Sequence, residues 1–501
     1  MNIKQAKEEI LHTVKAYLLK DEAGMYRIPD IRQRPILLMG PPGIGKTQIM
    51  EQIARECRIG LVAYTITHHT RQSAVGLPYI REETFDGRTC SVTEYTMSEI
   101  IASIYQKIKN SGLREGILFI DEINCVSETL APTMLQFLQN KTFGSQAVPK
   151  GWIIAAAGNP PEYNKSVRDF DMVTLDRVRY ISVEADFSVW KEYAKAVHIH
   201  PAILGYLELH PNQFYRAEAD VDGLKFVTAR GWEDLSCLMK IYEELHIPVT
   251  EHIVSEFIHH EETAFDAAAY FELFYKYQDD YGIPEILSGH VRPQIYARIF
   301  QAAFDERISI VNLLTDGLSG YFIQTAIEQE RTNLWYAFLK EYRRQLSDAK
   351  DSALCYARLV KLQEENLKLE REGNLFSRTQ LKNREWLLTQ LKNAAPQTGC
   401  SAQSAFEQAR KGFDIQQETL EQKELATELA LEHAFDFMEQ ALKGGQEMVV
   451  FITDLTIGTE SSAFLSEHPC RRYQQYNEQL LTGTRREQLL SELARDTEQF
   501  T

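Results

Sequence analysis

Apolar residues recur along the chain in two rhythms. Near the N-terminus Ile3, Ile10, Val14 and Leu18 fall close to a helical repeat among charged neighbours, which predicts an amphipathic helix packed on a core. A continuous apolar run follows, "ILLM" at 36–39, with the length of a buried strand. The next segment, "QIMEQIARECR", places Ile49, Ile53 and Ala54 at helical spacing. Ile117–Ile120 are again apolar without a break, as a parallel strand covered on both faces should be. A third strand-like run opens "WIIAAAGNPPEYN", residues 152–164. Between these runs, residues 71–96 alternate apolar and polar positions around Gly76, Pro78 and Gly87, the pattern of a β-hairpin.

Beyond residue 186 the pattern turns helical. Trp190, Tyr193, Ile203, Tyr206 and Leu207 supply apolar faces, and Trp232, Leu235, Leu238 and Ile241 repeat at three. Residues 353–393 and 404–443 are strongly helical, with Pro396 and Gly399 as breakers between them. Leu362, Leu369 and Phe376 keep a seven-residue step that Asn383 ends, and Gly373 interrupts, so a long coiled coil is not expected. A helical hairpin over 350–443 fits better, with arms of about 40 residues or about 60 Å. "MVVFITDLTIG", 448–458, reads as a short strand-like island.

Composition narrows the class. A chain of 501 residues, 44% hydrophobic and 25% charged, has the make-up of a soluble globular protein of two or three domains. The net charge of −17 is mixed along the sequence and disfavours a general nucleic-acid binder. Seven scattered cysteines, none at metal-ligand spacing, suggest reduced, cytoplasmic usage. The histidine pairs 68–69, 198–200 and 259–260 lack a metal-binding pattern and read as surface or packed residues. The first 20 residues carry charge through their apolar positions and are not a signal peptide, and no run reaches membrane-span length.

The candidate chemistry sits at strand ends. "GPPGIGKT", Gly40 to Thr47, joins a strand to a helix. Gly43 and Gly45 can take backbone angles that turn successive N–H groups towards an anion, and the helix N-terminus adds partial positive charge. Lys46 supplies a full charge to a phosphate, and the Thr47 hydroxyl can ligate Mg2+. The loop formed by Gly40, Pro41, Pro42, Gly43, Ile44, Gly45, Lys46, Thr47 and Gln48 is the predicted phosphate cradle. The run 117–120 ends in Asp121 and Glu122, at the strand tip where open α/β sheets keep their chemistry. Asp121 suits the Mg2+ shell and Glu122 suits a general base for water. Asn159 closes the third strand with a neutral amide that could orient that water, or could serve only as a turn residue before Pro160.

These segments in this order resemble the AAA+ ATPases, and within them the MoxR branch. "GPPGIGKT" looks like the Walker A loop and "ILFIDEIN" like Walker B, with Asn124 in the branch-typical place. "ETLAPTMLQFLQNKTFG" is similar to the helix and hairpin that follow, and "AAAGNPPEYN" to the sensor 1 segment. "VTLDRVRYISV" resembles the arginine-finger stretch, and "VTARGWEDLS" the sensor 2 segment. Two positions depart from the pattern. Val178 stands where Phe is usual, followed by a second arginine, Arg179, and Ala229 replaces the usual Pro before Arg230. Arg177 matches the finger by position, while Asp176 beside it also permits a plain surface pair.

The resemblance implies an α/β fold: a five-stranded parallel-sheet AAA+ core with an α-helical lid and an additional all-α C-terminal region. The corresponding boundaries are 1–185 for the core with its N-terminal helix and insert hairpin, 186–300 for the lid and 301–501 for the helical remainder. It also implies a homo-oligomer, usually a hexamer, in which Arg177 acts on nucleotide bound by the neighbouring subunit. The expected activity is Mg-ATP hydrolysis that remodels or matures a protein client, such as one bearing a von Willebrand A-type domain. A nucleic-acid remodelling motor and an ATP-switched scaffold are the alternatives. The acidic balance stands against the first and an intact Glu122 against the second.

Overall fold

The apolar runs at 36–39, 117–120 and 152–158 become strands of one parallel sheet. The computed structural model describes residues 1–480 apart from 69–75, 87, 128, 144–145, 164–166, 168–169, 221–222, 347–350 and 443–444. In chain order the strands of the first part are β1 (Ile36–Met39), β2 (Gly60–Thr65), the pair β3 (Pro78–Phe85) and β4 (Arg88–Tyr95), β5 (Gly116–Asp121), the short pair β6 (Thr142–Phe143) and β7 (Gln146–Ala147), β8 (Trp152–Gly158) and β9 (Arg179–Ser182). The five-stranded sheet runs β2-β5-β8-β1-β9, parallel throughout. Ile36 of β1 lies between Ala155 and Arg179, and Leu118 of β5 between Val62 and Ile154, so β1 and β5 are interior strands and flank β8 at the centre. Strand β8 stops at Gly158, shorter than the predicted run, and Asn159 is the first residue past its end.

Alternate residues show why these strands are apolar at every position. Leu37, Met39, Leu118, Ile120, Ile154 and Ala156 share one core with Ile100, Ile101 and Ile104 of one helix and Met134, Phe137 and Leu138 of another. Their strand neighbours Ile36, Leu38, Ile117, Phe119, Ile153 and Ala155 are equally buried. A sheet buried on both faces leaves no polar alternation to read. The predicted N-terminal helix is α1 (Ile3–Leu18), which packs on α2 (Lys46–Cys57) and is closed at its start by an Asn2–Gln5 capping box. The remaining helices of this part are α3 (Glu99–Ser111), α4 (Ala131–Asn140) and α5 (Met172–Arg177). The insert folds as the expected antiparallel hairpin, Phe85 opposite Arg88; its predicted turn glycine, Gly87, and residues 71–75 lie outside the described residues.

The chain divides into two compact units. The first comprises residues 1–189, 228–230 and 358–388. It therefore holds the sheet, the start of the sensor-like helix and a segment from far along the sequence. That segment is tied to the sheet's helices: the Lys107 ammonium donates to the Glu372 carbonyl at 2.7 Å.

Among the described residues, the second unit comprises 190–227, 231–357 and 389–480 and is mainly helical. Its elements are α6 (Phe187–Ala196), α7 (Pro201–Leu209), the pair β10 (Arg216–Asp220) and β11 (Gly223–Val227), α8 (Ala229–Glu244), α9 (Glu251–Ser255), α10 (Glu261–Tyr281), α11 (Ile283–Leu287), α12 (Pro293–Gln301) and α13 (Phe304–Leu346). Most of α14 (Ser352–Gly373) and of α15 (Arg378–Asn393) belongs to the first unit, and the second continues with α16 (Ala402–Leu442), α17 (Gln446–Ile457) and α18 (Thr459–Glu467). Helices α6, α8, α14 and α15 each run across a boundary between the units.

Three readings change here. In α8 the buried face is Trp232, Leu235, Ser236 and Met239, while Ile241 is exposed, because a 3.6-residue turn carries a strict three-step off the core face. The partner of α16 is α13: Thr325 and Thr427 share a 2.8 Å hydroxyl hydrogen bond, and Gln416 donates to Glu328 at 2.7 Å. The first arm of the predicted hairpin is instead broken into α14 and α15. The predicted strand-like island at 448–458 is helix α17, with Met448, Phe451, Ile452 and Leu455 buried at helical spacing. Two of the histidines cap helices: His200 Nδ1 accepts from the Ala202 N–H at 3.2 Å and His260 Nδ1 from the Thr263 N–H at 3.3 Å. Among the described residues, no single helix is long and apolar enough to cross a membrane.

Candidate nucleotide-binding site

The loop Gly40–Gly45 leaves β1 and delivers the chain to the first residue of α2. Gly43 (φ 74°) and Gly45 (φ 90°) take left-handed backbone, which side-chain-bearing residues avoid. A Cβ at Gly43 would lie 3.1 Å from Thr228 Cβ and 3.4 Å from Arg230 Cβ, so the loop is closed on one side by the residues that begin α8. The α2 N-terminus opens on this loop with Gly45 as N-cap, which has no side chain to cap it.

Lys46 is buried to 8% exposure, yet its ammonium is fully engaged. It donates to the Gly40 carbonyl at 2.6 Å, the Pro41 carbonyl at 3.0 Å and Asn159 Oδ1 at 2.6 Å. Burial pushes the Lys46 amine down to about 8; the Arg230 charge acts in the same direction, while Asp121, Glu122 and Cys125 pull it back up. Thr47 donates its hydroxyl to Asp121 Oδ2 at 2.9 Å. The sheet order explains these pairs, since β5 and β8 are adjacent and β8 borders β1. Their C-terminal ends therefore bring Asp121, Asn159 and the loop to one edge.

Glu122 stands just past the end of β5 in left-handed backbone, φ 57°. The turn is pinned on three sides. Asp121 Oδ1 accepts from the Glu122 N–H, Ala157 O from the Ile123 N–H and Glu122 O from the Cys125 N–H, each at 2.9 Å. A non-glycine residue held in this region costs on the order of 1–2 kcal/mol, and such strain concentrates at functional sites. Neither this strain nor the contacts of Asn124 could be read from the residue pattern. Asn124, 3% exposed, donates from Nδ2 to the Asn159 carbonyl at 2.8 Å and accepts at Oδ1 from the Asn159 N–H at 3.3 Å.

The two arginines separate. Arg177, the last residue of α5, donates to Gln139 Oε1, and Met172 and Val173 on that helix are exposed. Arg179, the first residue of β9, pairs with Glu9 of α1 at 2.5 Å. The geometry thus unites Lys46, Thr47, Asp121, Glu122 and Asn159, with Arg230 beside the loop. Arg177 makes no hydrogen bond or ion pair with that group among the described residues. The Gln139 and Glu9 partners left no mark in the sequence.

Residues 36–176 match the family model described as "ATPase family associated with various cellular activities (AAA)". They form an AAA domain. The match runs from β1 through the loop, Asp121–Glu122 and Asn159 to the residue before Arg177. No curated protein matches the sequence. Among solved structures, a "putative ATPase" from Cytophaga hutchinsonii is 16% identical, with a TM-score of 0.24 over 39% of this chain. The chain spans 56% of the length of that protein.

Proposed function

We propose that this protein is a ring-forming Mg-ATP hydrolase of MoxR type that uses ATP turnover to remodel or mature a protein partner. The observation that carries the reading is the pairing of Lys46 with Asn159 and of Thr47 with Asp121 at one strand edge, beside Glu122. Loop N–H groups and Lys46 would hold the phosphates. The Thr47 hydroxyl and Asp121 carboxylate are hard oxygen donors within 2.9 Å of each other, a set that suits Mg2+. When bound, the ion would neutralise charge on the phosphates. Glu122 would take the proton of the attacking water, and Asn159 would orient that water.

The trans role falls to Arg177. Arg179 is engaged by Glu9, whereas Arg177 sits on an exposed helix with apolar Met172 and Val173 uncovered beside it. Those residues suit contact with a second copy better than contact with water. A guanidinium lent from a neighbour stabilises charge on the transferring phosphoryl group, which is worth about 10³ to 10⁵ in rate.

Steady-state ATP hydrolysis by the full chain tests the reading, alongside Glu122→Gln and Arg177→Ala. Both variants should bind nucleotide and turn it over poorly. Mixing them should restore part of the activity, because some interfaces then combine an intact Arg177 with an intact Glu122. Wild-type protein without turnover at any concentration would overturn the hydrolase reading. Mixtures that exchange subunits without recovery would overturn the trans assignment.

A further inference from the structure

We infer that Asn124 is a positioning residue for ATP turnover: its carboxamide brackets the backbone of Asn159 and so fixes where the Asn159 side chain stands. The inference rests on the hydrolase reading above. Strands β5 and β8 pair residue by residue up to Ile120 opposite Ala156. After Asp121 the chain turns away at Glu122, and the Ile123 N–H makes one more bond, to the Ala157 carbonyl. Past that point β8 has no partner strand on this side. The Asn124 side chain takes the missing strand's place, giving a donor to the Asn159 C=O and an acceptor to its N–H. Both backbone groups of residue 159 are thereby satisfied by one planar amide.

Asparagine suits the position for a chemical reason. Aspartate would offer two acceptors and face the Asn159 carbonyl with like polarity. Glutamine would carry the amide one methylene too far, and serine lacks the span for two bonds. Gly158 completes the seat. A Cβ there would meet Asn124 Oδ1 at 2.6 Å and Met39 Sδ at 2.8 Å, closer than real Cβ atoms approach. Only glycine lets the amide lie flat against the strand end. The result is a chain of fixed parts: Gly158 admits Asn124, Asn124 sets Asn159, and Asn159 Oδ1 meets Lys46 at 2.6 Å.

Asn124→Asp and Gly158→Ala disturb this bracket from its two sides. Each should lower kcat about 100-fold, the scale of an ångström's displacement of a positioned group, with KM and nucleotide affinity within about threefold of wild type. Added to Asn159→Ala, Asn124→Asp should slow turnover no further, since its effect passes through Asn159; a merely structural lesion would multiply instead. A readout without nucleotide uses acylation of Lys46 in the free protein, followed by mass spectrometry. Asn124→Asp should raise Lys46 labelling several-fold, to the level of Asn159→Ala. Unchanged kcat in both variants, multiplicative loss in the double variant, or labelling that stays at the wild-type rate would each overturn the inference. If Asn124→Asp does not fold, Gly158→Ala carries the same tests. Glu122→Gln separates the two claims: if it leaves turnover intact, the hydrolase reading fails. If it abolishes turnover while both bracket variants stay active, only this inference fails.

Discussion

Lys46 gives the sharpest handle on nucleotide binding, through pH. Its amine titrates at about 8 in the free protein, down from an ordinary 10.5, chiefly because it is buried. A bound triphosphate favours the charged form, so the bound-state value must lie higher. The sign follows. Below pH 7 the amine is charged in both states and affinity does not change with pH on its account. Above about 8 the free amine is neutral and binding must take up a proton. The protonated fraction falls to about one half at pH 8 and about one tenth at pH 9, so affinity should weaken about twofold and then about tenfold. The phosphates are already ionised across this range and add no slope of their own. Isothermal titration calorimetry in two buffers of different ionisation enthalpy counts the proton directly, with about 0.9 taken up at pH 9 and about 0.1 at pH 7. Lys46→Arg, always charged, should bind more weakly but without this uptake. Tenfold weakening at pH 9 with no proton taken up, or uptake that persists in Lys46→Arg, would refute the reasoning.

Other expectations test separate parts of the molecule. Lys46→Ala should lose nucleotide, read by fluorescence of a labelled ATP analogue. Gly45→Ala forces a side chain into φ 90° and should weaken nucleotide binding while lowering the unfolding free energy, read by urea titration, by no more than a single strained residue costs, about 1–2 kcal/mol. Arg177→Ala should leave nucleotide affinity unchanged and cut turnover about 10³-fold or more, measured by phosphate release at a concentration where the wild type is assembled. Phe435, fully buried and edge-on to Phe451 at 5.3 Å, should on truncation to Ala destabilise the second unit by about 3–5 kcal/mol, visible as a lowered urea midpoint.

The sequence made the sheet legible for a physical reason. Strands covered on both faces must be apolar throughout, and runs such as 36–39 and 117–120 have no other ready use. The loop was legible because glycine, lysine and threonine at that spacing answer to one ligand chemistry. The helical second unit was harder. Val449, Val450 and Ile452 favour strands locally, yet burial at 448, 451, 452 and 455 is a helical stripe, and packing overrides propensity there. The break between α14 and α15 at 374–377 follows Gly373, which the sequence did mark. The partnership of α13 with α16 joins segments about 100 residues apart, as the Thr325–Thr427 bond shows, and no local pattern encodes it. The pairing of Arg179 with Glu9 joins residues 170 apart in sequence, and no local pattern encodes it either.

The site's internal bonds also bear on how it would load. Each group meant for phosphate or metal already has a partner: Lys46 has Asn159 and two loop carbonyls, and Thr47 has Asp121. A buried ammonium without acceptors would be strongly destabilising, and these bonds satisfy it. Loading is then an exchange of partners. Phosphate oxygens would replace Asn159 and the carbonyls at Lys46, and Thr47, its hydroxyl still protonated, and Asp121 would hold a metal ion in place of their mutual hydrogen bond. Asn159 would be released at the moment when a water needs orienting, while its backbone stays in the grip of Asn124. The same exchange explains why Asn159→Ala should have two opposite effects. Nucleotide binding should tighten slightly, because Lys46 has one fewer acceptor to leave, and turnover should fall, because the water loses its guide. Binding and turnover measured on that one variant decide the matter, and a parallel loss of both would show that Asn159 serves the phosphates directly.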